Sequence, residues 1–248
     1  MPGVLTPLSC DECSLRQNPA FIPLTRNELC FIAHSRQGNT TIRRGSELID
    51  LRPRHRQTLT LTKGWACQYM IGPDGNQSIR DFLLPGDWVY LDPAQFESTR
   101  LSGVRAITDV EVCVLSYAEM SHMLDSQPDL TRKLLHTLYV DRRRLDRRHA
   151  AFARATASRR AAYLFLELQD RTRALGLGGA DWFHFPVRRQ HLEDTLDLSH
   201  AQLSRALSSL RDAGLATFER GIVKIKNRAE LETLSGYSSL PDAGRLLL

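Results

Sequence analysis

The sequence predicts an α+β protein, with short strands in its first half that suggest a sandwich, barrel or roll, and helices in its second. Between residues 40 and 116, apolar and polar residues alternate along short segments, which is the period of β-strands. After Tyr117 the apolar residues recur every three or four positions, which is the period of an α-helix. This change predicts three parts, with bounds at 1–127, 128–153 and 154–248.

Composition narrows the class of protein before any motif is considered. The 248 residues are 42% hydrophobic and 25% charged, which is typical of a globular protein with a buried core and excludes disordered and collagen-like chains. Five cysteines, an odd number, do not make a disulfide framework. We find neither a secretory signal nor an apolar run of membrane-spanning length, so we expect a cytoplasmic protein with no membrane partner.

The strand-rich half contains two predicted hairpins, after an alternating strand at Thr58–Thr62. The segment from Trp65 to Ile71 and the following SIRDFLL flank a GPDGNQ turn. VRAIT and VEVCVL predict a second hairpin that turns at Thr108-Asp109. Ahead of these strands, a helix is predicted from Thr25 to Ala33, with Thr25 as N-cap and Glu28 completing a capping box.

A long helix begins at Pro128, and its narrow apolar stripe predicts dimerisation. The heptad-like stripe is interrupted at Asp141 and Arg148, and a polar residue in such a seam can set the register of two paired helices. Its apolar members are Leu134, Leu138, Leu145 and Phe152. The alternative is a helix that packs on its own β-domain.

The basic residues are concentrated along this helix and the segment that follows it. Between Arg132 and Arg160 there are ten Arg or Lys and two acidic residues, Asp141 and Asp146. The net charge of this run therefore exceeds the net charge of +5 of the whole chain. Such a run is often only a solvated helix face, but it also has the charge that DNA phosphates attract. We expect it to face phosphate.

The segment from residue 186 to 227 predicts a helix-turn-helix with a wing. A short helix from Arg188 to Leu196 and a turn at 197–199 precede a second helix from His200 to Asp212. Leu203, Ala206, Leu207 and Leu210 form the inner stripe of that second helix. Gly214 follows its end, and residues 215–226 predict a two-stranded wing that turns at 219–221.

The outer face of the second helix has the side chains of a DNA recognition helix. Arg205 is the expected base reader, because its guanidinium can donate to guanine O6 and N7 together. Ser204 and His200 add weaker base contacts, and Gln202 and Arg189 are expected to hold phosphate. The predicted DNA-binding residues are Arg189, Ser199, His200, Ala201, Gln202, Ser204, Arg205 and Ser208.

In order and spacing these motifs resemble the CRP/FNR superfamily of bacterial transcription regulators, over nearly the whole chain. The similarity lies in TTIRRGSELI, FLLPGDWVYLD, the long helix, and LSHAQLSRALSSLRDAGL with its wing. The resemblance implies a cyclic-nucleotide-binding-like β-roll of the jelly-roll kind as sensor domain, a dimerisation helix and a C-terminal winged helix-turn-helix. It also implies a homodimer that binds a near-palindromic double-stranded DNA operator and contacts RNA polymerase.

Cyclic AMP is not the expected effector. The cyclic-nucleotide branch has a Gly-Glu pair and then an Arg that meets the cyclic phosphate. This chain has Gly86-Asp87, and Leu101-Ser102 where that Arg is expected. Without the guanidinium, a buried phosphate would lack its charged partner, which is costly.

The oxygen-sensing branch is more similar, and it implies a metal site. By that resemblance Cys10, Cys13 and Cys113 match three ligands of a [4Fe–4S] cluster, a group that usually takes four thiolates. The fourth cysteine is absent, and the substitutes considered are Cys30, Asp11 and Glu12. Two alternatives stay open. The cysteines are small core residues or reactive thiols, or the chain binds haem through His34, His55 or Cys67.

The recognition helix departs from the best-known members at Ala201, where they have a Glu that accepts from a cytosine amine. The operator sequence is therefore not expected to be theirs. We find no phosphate-loop, zinc-protease or serine-hydrolase motif, so an enzyme is not expected. The leading prediction is a DNA-binding regulator that responds to oxygen or redox state, nitric oxide or a small ligand. The alternative is a thiol-redox or ligand-binding module without DNA-regulatory activity.

Overall fold

The computed structural model describes residues 10–48, 57–89, 102–240 and 244–248. They form two units, Met1–Leu138 with Gly244–Leu248, and Tyr139–Ala243. The predicted bounds at 127/128 and 153/154 differ from this division, because the long helix has no unit of its own. Its first half is buried in the first unit, and its second half belongs to the second.

The first unit begins with two short 3-10 helices, Cys10–Glu12 and Ser14–Gln17, and then α1, which spans Arg26–Ser35. Its described strands are β1 Arg36–Ile42, β2 Gln57–Lys63, β3 Ala66–Ile71, β4 Gln77–Leu83, β5 Trp88–Val89, β6 Ser102–Ala106 and β7 Val110–Ser116. Within the described residues they form two sheets, ordered β1-β7-β2-β5 and β4-β3-β6. Leucine and valine side chains of both sheets share one core, which confirms the predicted β-rich first half.

One predicted hairpin is confirmed and the other is wrong. β3 pairs with β4 across the GPDGNQ turn, as predicted. β6 and β7, however, do not pair across Thr108-Asp109, because β6 joins β3 while β7 lies between β1 and β2. The turn instead crosses from one sheet to the other, and the Trp65 amide holds it by donating to Thr108 Oγ1 over 3.0 Å.

The predicted capping box at the start of α1 is present. Thr25 Oγ1 accepts from the Glu28 amide, and the Glu28 carboxylate accepts from the Thr25 amide at 2.7 Å. Glu28 is buried and also pairs with Lys133 at 2.6 Å. Burial raises the pKa of the Glu28 carboxyl, but the hydrogen bonds from Lys133 and Thr25 outweigh it and hold the pKa below its usual value.

Two helices follow the strands: α2, Tyr117–Ser126, and α3, Pro128–Phe152. The predicted dimer stripe on α3 is wrong in two of its members. Leu134 is only 4% exposed and lies in the core of its own unit, and Phe152 packs edge-on against Tyr163 at 6.0 Å. The exposed row is instead Leu135, Leu138 and Tyr139, at 61%, 43% and 63% exposure. The stripe read from the sequence therefore combined an inner face with an outer one.

The second unit contains α4 Ala157–Ala174, α5 Arg189–Leu196, α6 His200–Asp212 and α7 Arg228–Ser235. Its strands are β8 Trp182–His184, β9 Ala216–Glu219 and β10 Ile222–Ile225. The wing was predicted with two strands, but β8 adds a third in the order β8-β10-β9. Arg220 and Gly221, both with positive φ, make the tight turn between β9 and β10.

The second half of α3 is joined to α4 by buried charges. Arg144 donates to Glu167 at 2.8 Å, and Arg148 lies 3.4 Å from the same carboxylate oxygen. All three side chains are nearly inaccessible to water. Arg148 was predicted to interrupt a dimer seam, and its actual role is this ion pair within the chain. In the parts of the chain that the structure describes, no helix is both long and apolar enough to cross a membrane.

Candidate nucleic-acid interface

Helices α5 and α6 form the predicted helix-turn-helix. Asp197 ends α5 in the left-handed conformation, with φ of 53°, and turns the chain toward α6. Ser199 then caps α6, since its hydroxyl accepts from the Gln202 amide while Gln202 Oε1 accepts from the Ser199 amide at 2.9 Å. The inner faces are buried, namely Leu192 and Leu196 on α5 and Leu203, Ala206 and Leu210 on α6. The outer face of α6 is therefore held in a fixed orientation.

The structure places the predicted contact residues on that outer face. His200, Ala201, Gln202 and Arg205 are exposed, and Ser204 and Ser208 are partly exposed. Arg205 Nε donates to the Ala201 carbonyl at 3.3 Å, so its guanidinium lies along the helix surface. Ser199 and Gln202 both take part in the helix cap, although Gln202 was predicted to hold phosphate.

Two other predicted residues make side-chain contacts between α5 and α6. Arg189 Nη1 donates to Ser204 Oγ at 2.9 Å. His200 Nδ1 lies 2.8 Å from Glu193 Oε1. Both contacts are exposed, so they are weak, and DNA phosphates or bases can replace them at small cost.

A shallow cleft beside α6 shows what the sequence reading missed. It lies between α5, α6 and the wing, and is lined by Arg189, Ser204, Leu207, Ser208, Arg211, Thr217, Phe218 and Glu219. Arg211 and Thr217 add a charge and a hydroxyl to the predicted set. The spacing of Arg211, one turn after Ser208, was a usable signal, whereas the approach of β9 is a tertiary contact.

Part of the basic run of residues 132–160 is paired inside the protein. Lys133 pairs with Glu28, Arg144 and Arg148 share Glu167, and Arg160 donates to the Leu196 carbonyl at 2.9 Å. Arg132, Arg142 and Arg147 have partners at the protein surface. The expectation that the run faces phosphate is therefore wrong for the four residues that are paired inside. Arg143, Arg154 and Arg159 are exposed.

The structure brings together two of the three predicted metal-ligating cysteines, and an arginine lies between them. Arg36 Nε donates to Cys113 Sγ at 2.7 Å, and Nη1 donates to Cys10 Sγ at 3.0 Å. Its third nitrogen donates to Asn39 at 2.5 Å. Cys10 and Cys113 are buried, and Cys13 is partly buried one turn after Cys10.

This donor set does not fit a [4Fe–4S] cluster. A cluster of this kind usually takes four thiolate ligands, and here a cationic guanidinium donates to two of the three available sulfurs. In the described ranges, no three His, Cys, Asp or Glu side chains lie close enough to hold a metal ion.

The structure describes no contact between these cysteine sulfurs and the substitute ligands named from the sequence. Cys30 is exposed on α1, and Glu12 is exposed as well. The side chain of Asp11 lies outside the described part. Of the haem candidates, Cys67 is buried in β3, His34 is exposed and bonded to the Cys30 carbonyl, and His55 lies outside the described residues. Leu101, which stands where the cyclic-nucleotide branch is expected to have its Arg, also lies outside them.

The buried thiols are expected to react slowly. Burial raises the pKa of the Cys113 thiol, and Arg36 only partly offsets this, so Cys113 is a thiol and not a thiolate at neutral pH. In a titration with a disulfide reagent, we expect exposed Cys30 to react first, and Cys10 and Cys113 only after unfolding.

Protein purified without oxygen is expected to lack stoichiometric iron and sulfide. A broad visible absorbance that bleaches in air would show that a cluster is bound, and would contradict this expectation.

Comparison with known families agrees with both halves of the fold. Residues 159–234 match the Crp-like helix-turn-helix domain, and residues 41–127 match the cyclic nucleotide-binding domain. The two matches occur in the order in which CRP/FNR regulators carry these domains, on the units described above. The chain belongs to the CRP/FNR family. This CRP/FNR protein is a DNA-binding transcription regulator, and the comparisons do not favour the alternative of a module without DNA-regulatory activity.

Relatives of this CRP/FNR regulator are themselves regulators. It is 25% identical to the nitrogen fixation regulation protein FixK of Bradyrhizobium diazoefficiens, over 67% of this chain and 69% of that one. It is 22% identical to the fumarate and nitrate reduction regulatory protein of Vibrio cholerae, over 93% and 92% of the two chains. Its fold is similar to the structure of FixK2 from Bradyrhizobium japonicum, with a TM-score of 0.68 and 25% identity over 81% of this chain and 98% of that one.

Proposed function

We propose that this regulator binds a near-palindromic operator as a homodimer, with α6 of each protomer in the major groove. The observation that supports this most is the exposed N-terminal half of α6, which the Ser199 cap and the buried leucines hold in place. Arg205 is the principal base reader, and Arg189 contacts phosphate. Ser204, Ser208 and His200 add polar contacts, and Ala201 presents only a methyl group to a base.

The exposed row on α3 is the proposed dimer contact. Leu135, Leu138 and Tyr139 follow each other at helical spacing on one face and expose apolar surface in the single chain. Two such helices packed together bury these side chains and relate the two α6 helices by a two-fold axis. Half-sites about 34 Å apart, one turn of DNA, follow from that symmetry.

The proposed signal acts on the first unit and reaches DNA through α3. Leu130 and Leu134 of this helix lie in the core of the first unit, and its later residues pair with α4. A ligand or a change in redox state, including oxygen or nitric oxide, that alters this core therefore shifts a helix that is continuous with the second unit. Since the cysteines do not fit a cluster, we propose no step that passes through one.

RNA polymerase is a further proposed partner, which rests on family membership alone. Its test is a gel shift in which purified polymerase is added to the protein bound at a promoter operator. A slower complex that depends on both proteins is expected. Independent binding of the two, with no gain in polymerase occupancy at any operator position, would contradict it.

Sequence-specific binding is tested by selection from random duplex DNA, followed by gel shifts at several salt concentrations. We expect a two-fold symmetric consensus and an affinity that falls steeply with salt, because phosphate contacts release counterions. No enriched sequence, or an affinity insensitive to salt, would overturn the proposed function.

Arg205→Ala tests whether Arg205 contacts a specific base or only attracts DNA of any sequence through its charge. The variant is expected to lose about 1–3 kcal/mol on the preferred operator and to lose discrimination at one base pair of each half-site. Arg189→Ala is the matched control, since loss of a phosphate contact weakens binding to all sequences alike and lowers the salt slope by about one. Specificity profiles of both variants are compared with that of the wild type. Uniform weakening by Arg205→Ala would contradict its role.

A further inference from the structure

The segment Gly244–Leu248 belongs to the first unit, although the chain reaches it only after passing through the second. It lies parallel to the segment before α1 and joins it through the backbone. The Arg245 amide donates to the Ala20 carbonyl at 3.0 Å, and the Ile22 amide donates to the Arg245 carbonyl at 2.8 Å. These two bonds form a single parallel β-bridge between Phe21 and Arg245, and backbone pairing of this kind is a common way to recognise a peptide.

Charged and polar side chains fix the position of the segment along this edge. Arg245 Nη1 lies 2.5 Å from Asp87 Oδ1, and Asp87 is only 5% exposed. Asp87 Oδ2 accepts from the Leu84 amide at 2.7 Å, so the carboxylate is held from both sides. Thr137 Oγ1 accepts from the Leu246 amide at 2.7 Å, and Arg16 donates to the Leu247 carbonyl at 3.1 Å.

Three consecutive leucines provide the apolar part of the contact. Leu246, Leu247 and Leu248 are 2%, 2% and 7% exposed. Leu246 and Leu248 pack in the cluster that also contains Cys10, Ile32, Leu115, Met120, Met123, Leu130 and Leu134. The segment is therefore held by a backbone bridge, a buried ion pair and an apolar pocket, and a specific peptide ligand is held by contacts of these three kinds.

We propose that the first unit contains a peptide-binding site, and that residues 244–248 are its built-in occupant. The site recognises an extended segment with one Arg followed by leucines. Asp87 selects the Arg, the backbone of Ala20–Ile22 and Thr137 read the main chain, and the apolar cluster takes the leucines. The contacts that hold the segment are noncovalent, so the same sequence on another molecule can take its place in the site. A free peptide competes with the high effective concentration of the attached segment.

The direct test uses the chain without residues 244–248 and a fluorescent peptide of residues 240–248. We expect saturable binding by anisotropy, at least tenfold weaker to the full chain, because there the site is filled. The peptide with Arg245→Met is expected to bind at least tenfold more weakly, which is the effect of losing one hydrogen bond to a buried charge. A scrambled peptide of the same composition controls for nonspecific adhesion of leucines. Equal binding to both chains, or no difference between native and scrambled peptides, overturns the proposal.

A second measurement keeps the test decisive if the shortened chain does not fold. In the full chain, Arg245→Met is expected to speed hydrogen exchange of the Ile22 amide at least tenfold, because the carbonyl that protects it is released. Arg43→Met is the matched control, since Arg43 is exposed on the same unit. Unchanged exchange at Ile22, or the same change in the control, overturns the proposal. Neither measurement involves DNA, so the outcome is independent of the operator-binding tests.

Discussion

Leu138→Glu is expected to convert the regulator into a monomer and to lower its affinity for a two-fold operator about 100-fold or more. Leu138 is 43% exposed in the single chain, so the substitution does not disturb the core of the protomer. In the proposed dimer, each protomer would bury a carboxylate beside apolar side chains, which is strongly unfavourable. A monomer engages one half-site and loses the second set of contacts. Sedimentation velocity and gel shifts on the selected operator measure the two effects.

Two other leucines are controls for this prediction. Leu177→Glu places the same charge at an exposed leucine away from α3, and is expected to leave the dimer intact. Leu134→Ala is expected to destabilise the protomer by about 2–5 kcal/mol, because Leu134 lies in its core. An Leu138→Glu protein that remains dimeric and binds the operator normally would show that the exposed row is not the interface.

Glu167→Ala is expected to destabilise the second unit by about 3–5 kcal/mol. Glu167 is the shared partner of Arg144 and Arg148, and removing it leaves two guanidinium groups in a buried site without that carboxylate. The free energy of unfolding from urea titration measures the effect. Tyr163, close to this cluster, contributes to a fluorescence signal that reports on the same region.

An exposed ion pair on α3 is the control. Asp146 pairs with Arg142 at 2.9 Å, and both side chains are mostly exposed, so Asp146→Ala is expected to change stability by less than about 1 kcal/mol. Similar losses for Asp146→Ala and Glu167→Ala would show that burial does not set the strength of these pairs.

Features encoded over a few neighbouring residues were predictable. The capping box at Thr25, the N-cap at Ser199, the GPDGNQ hairpin and the bounds of α6 follow from short-range hydrogen bonds and from the helix period. The exposed position of Arg205 follows in the same way, since it lies opposite the leucine stripe. Family membership then followed from the order of these elements along the chain.

Features that depend on distant partners were predicted less well. The stripe on α3 failed at Leu134 and Phe152, because a helix packed on its own core has apolar residues on more than one face. The hairpin at Thr108-Asp109 failed because adjacent strands can belong to different sheets. The basic run was correctly located, but its use depends on acidic partners such as Glu28 and Glu167, which lie far away in sequence.

The sequence by itself determined the class of protein, the recognition helix and the residues on its outer face, because periodicity and caps act over one or two turns. Only the tertiary structure decided which side chains surround the cysteines and residues 244–248. Arg36 comes between Cys10 and Cys113, and Arg245 comes to Asp87, through pairings between segments far apart in the chain. A guanidinium beside buried thiols or a buried carboxylate has no signature in local spacing, since its position is set by how the sheets and helices pack.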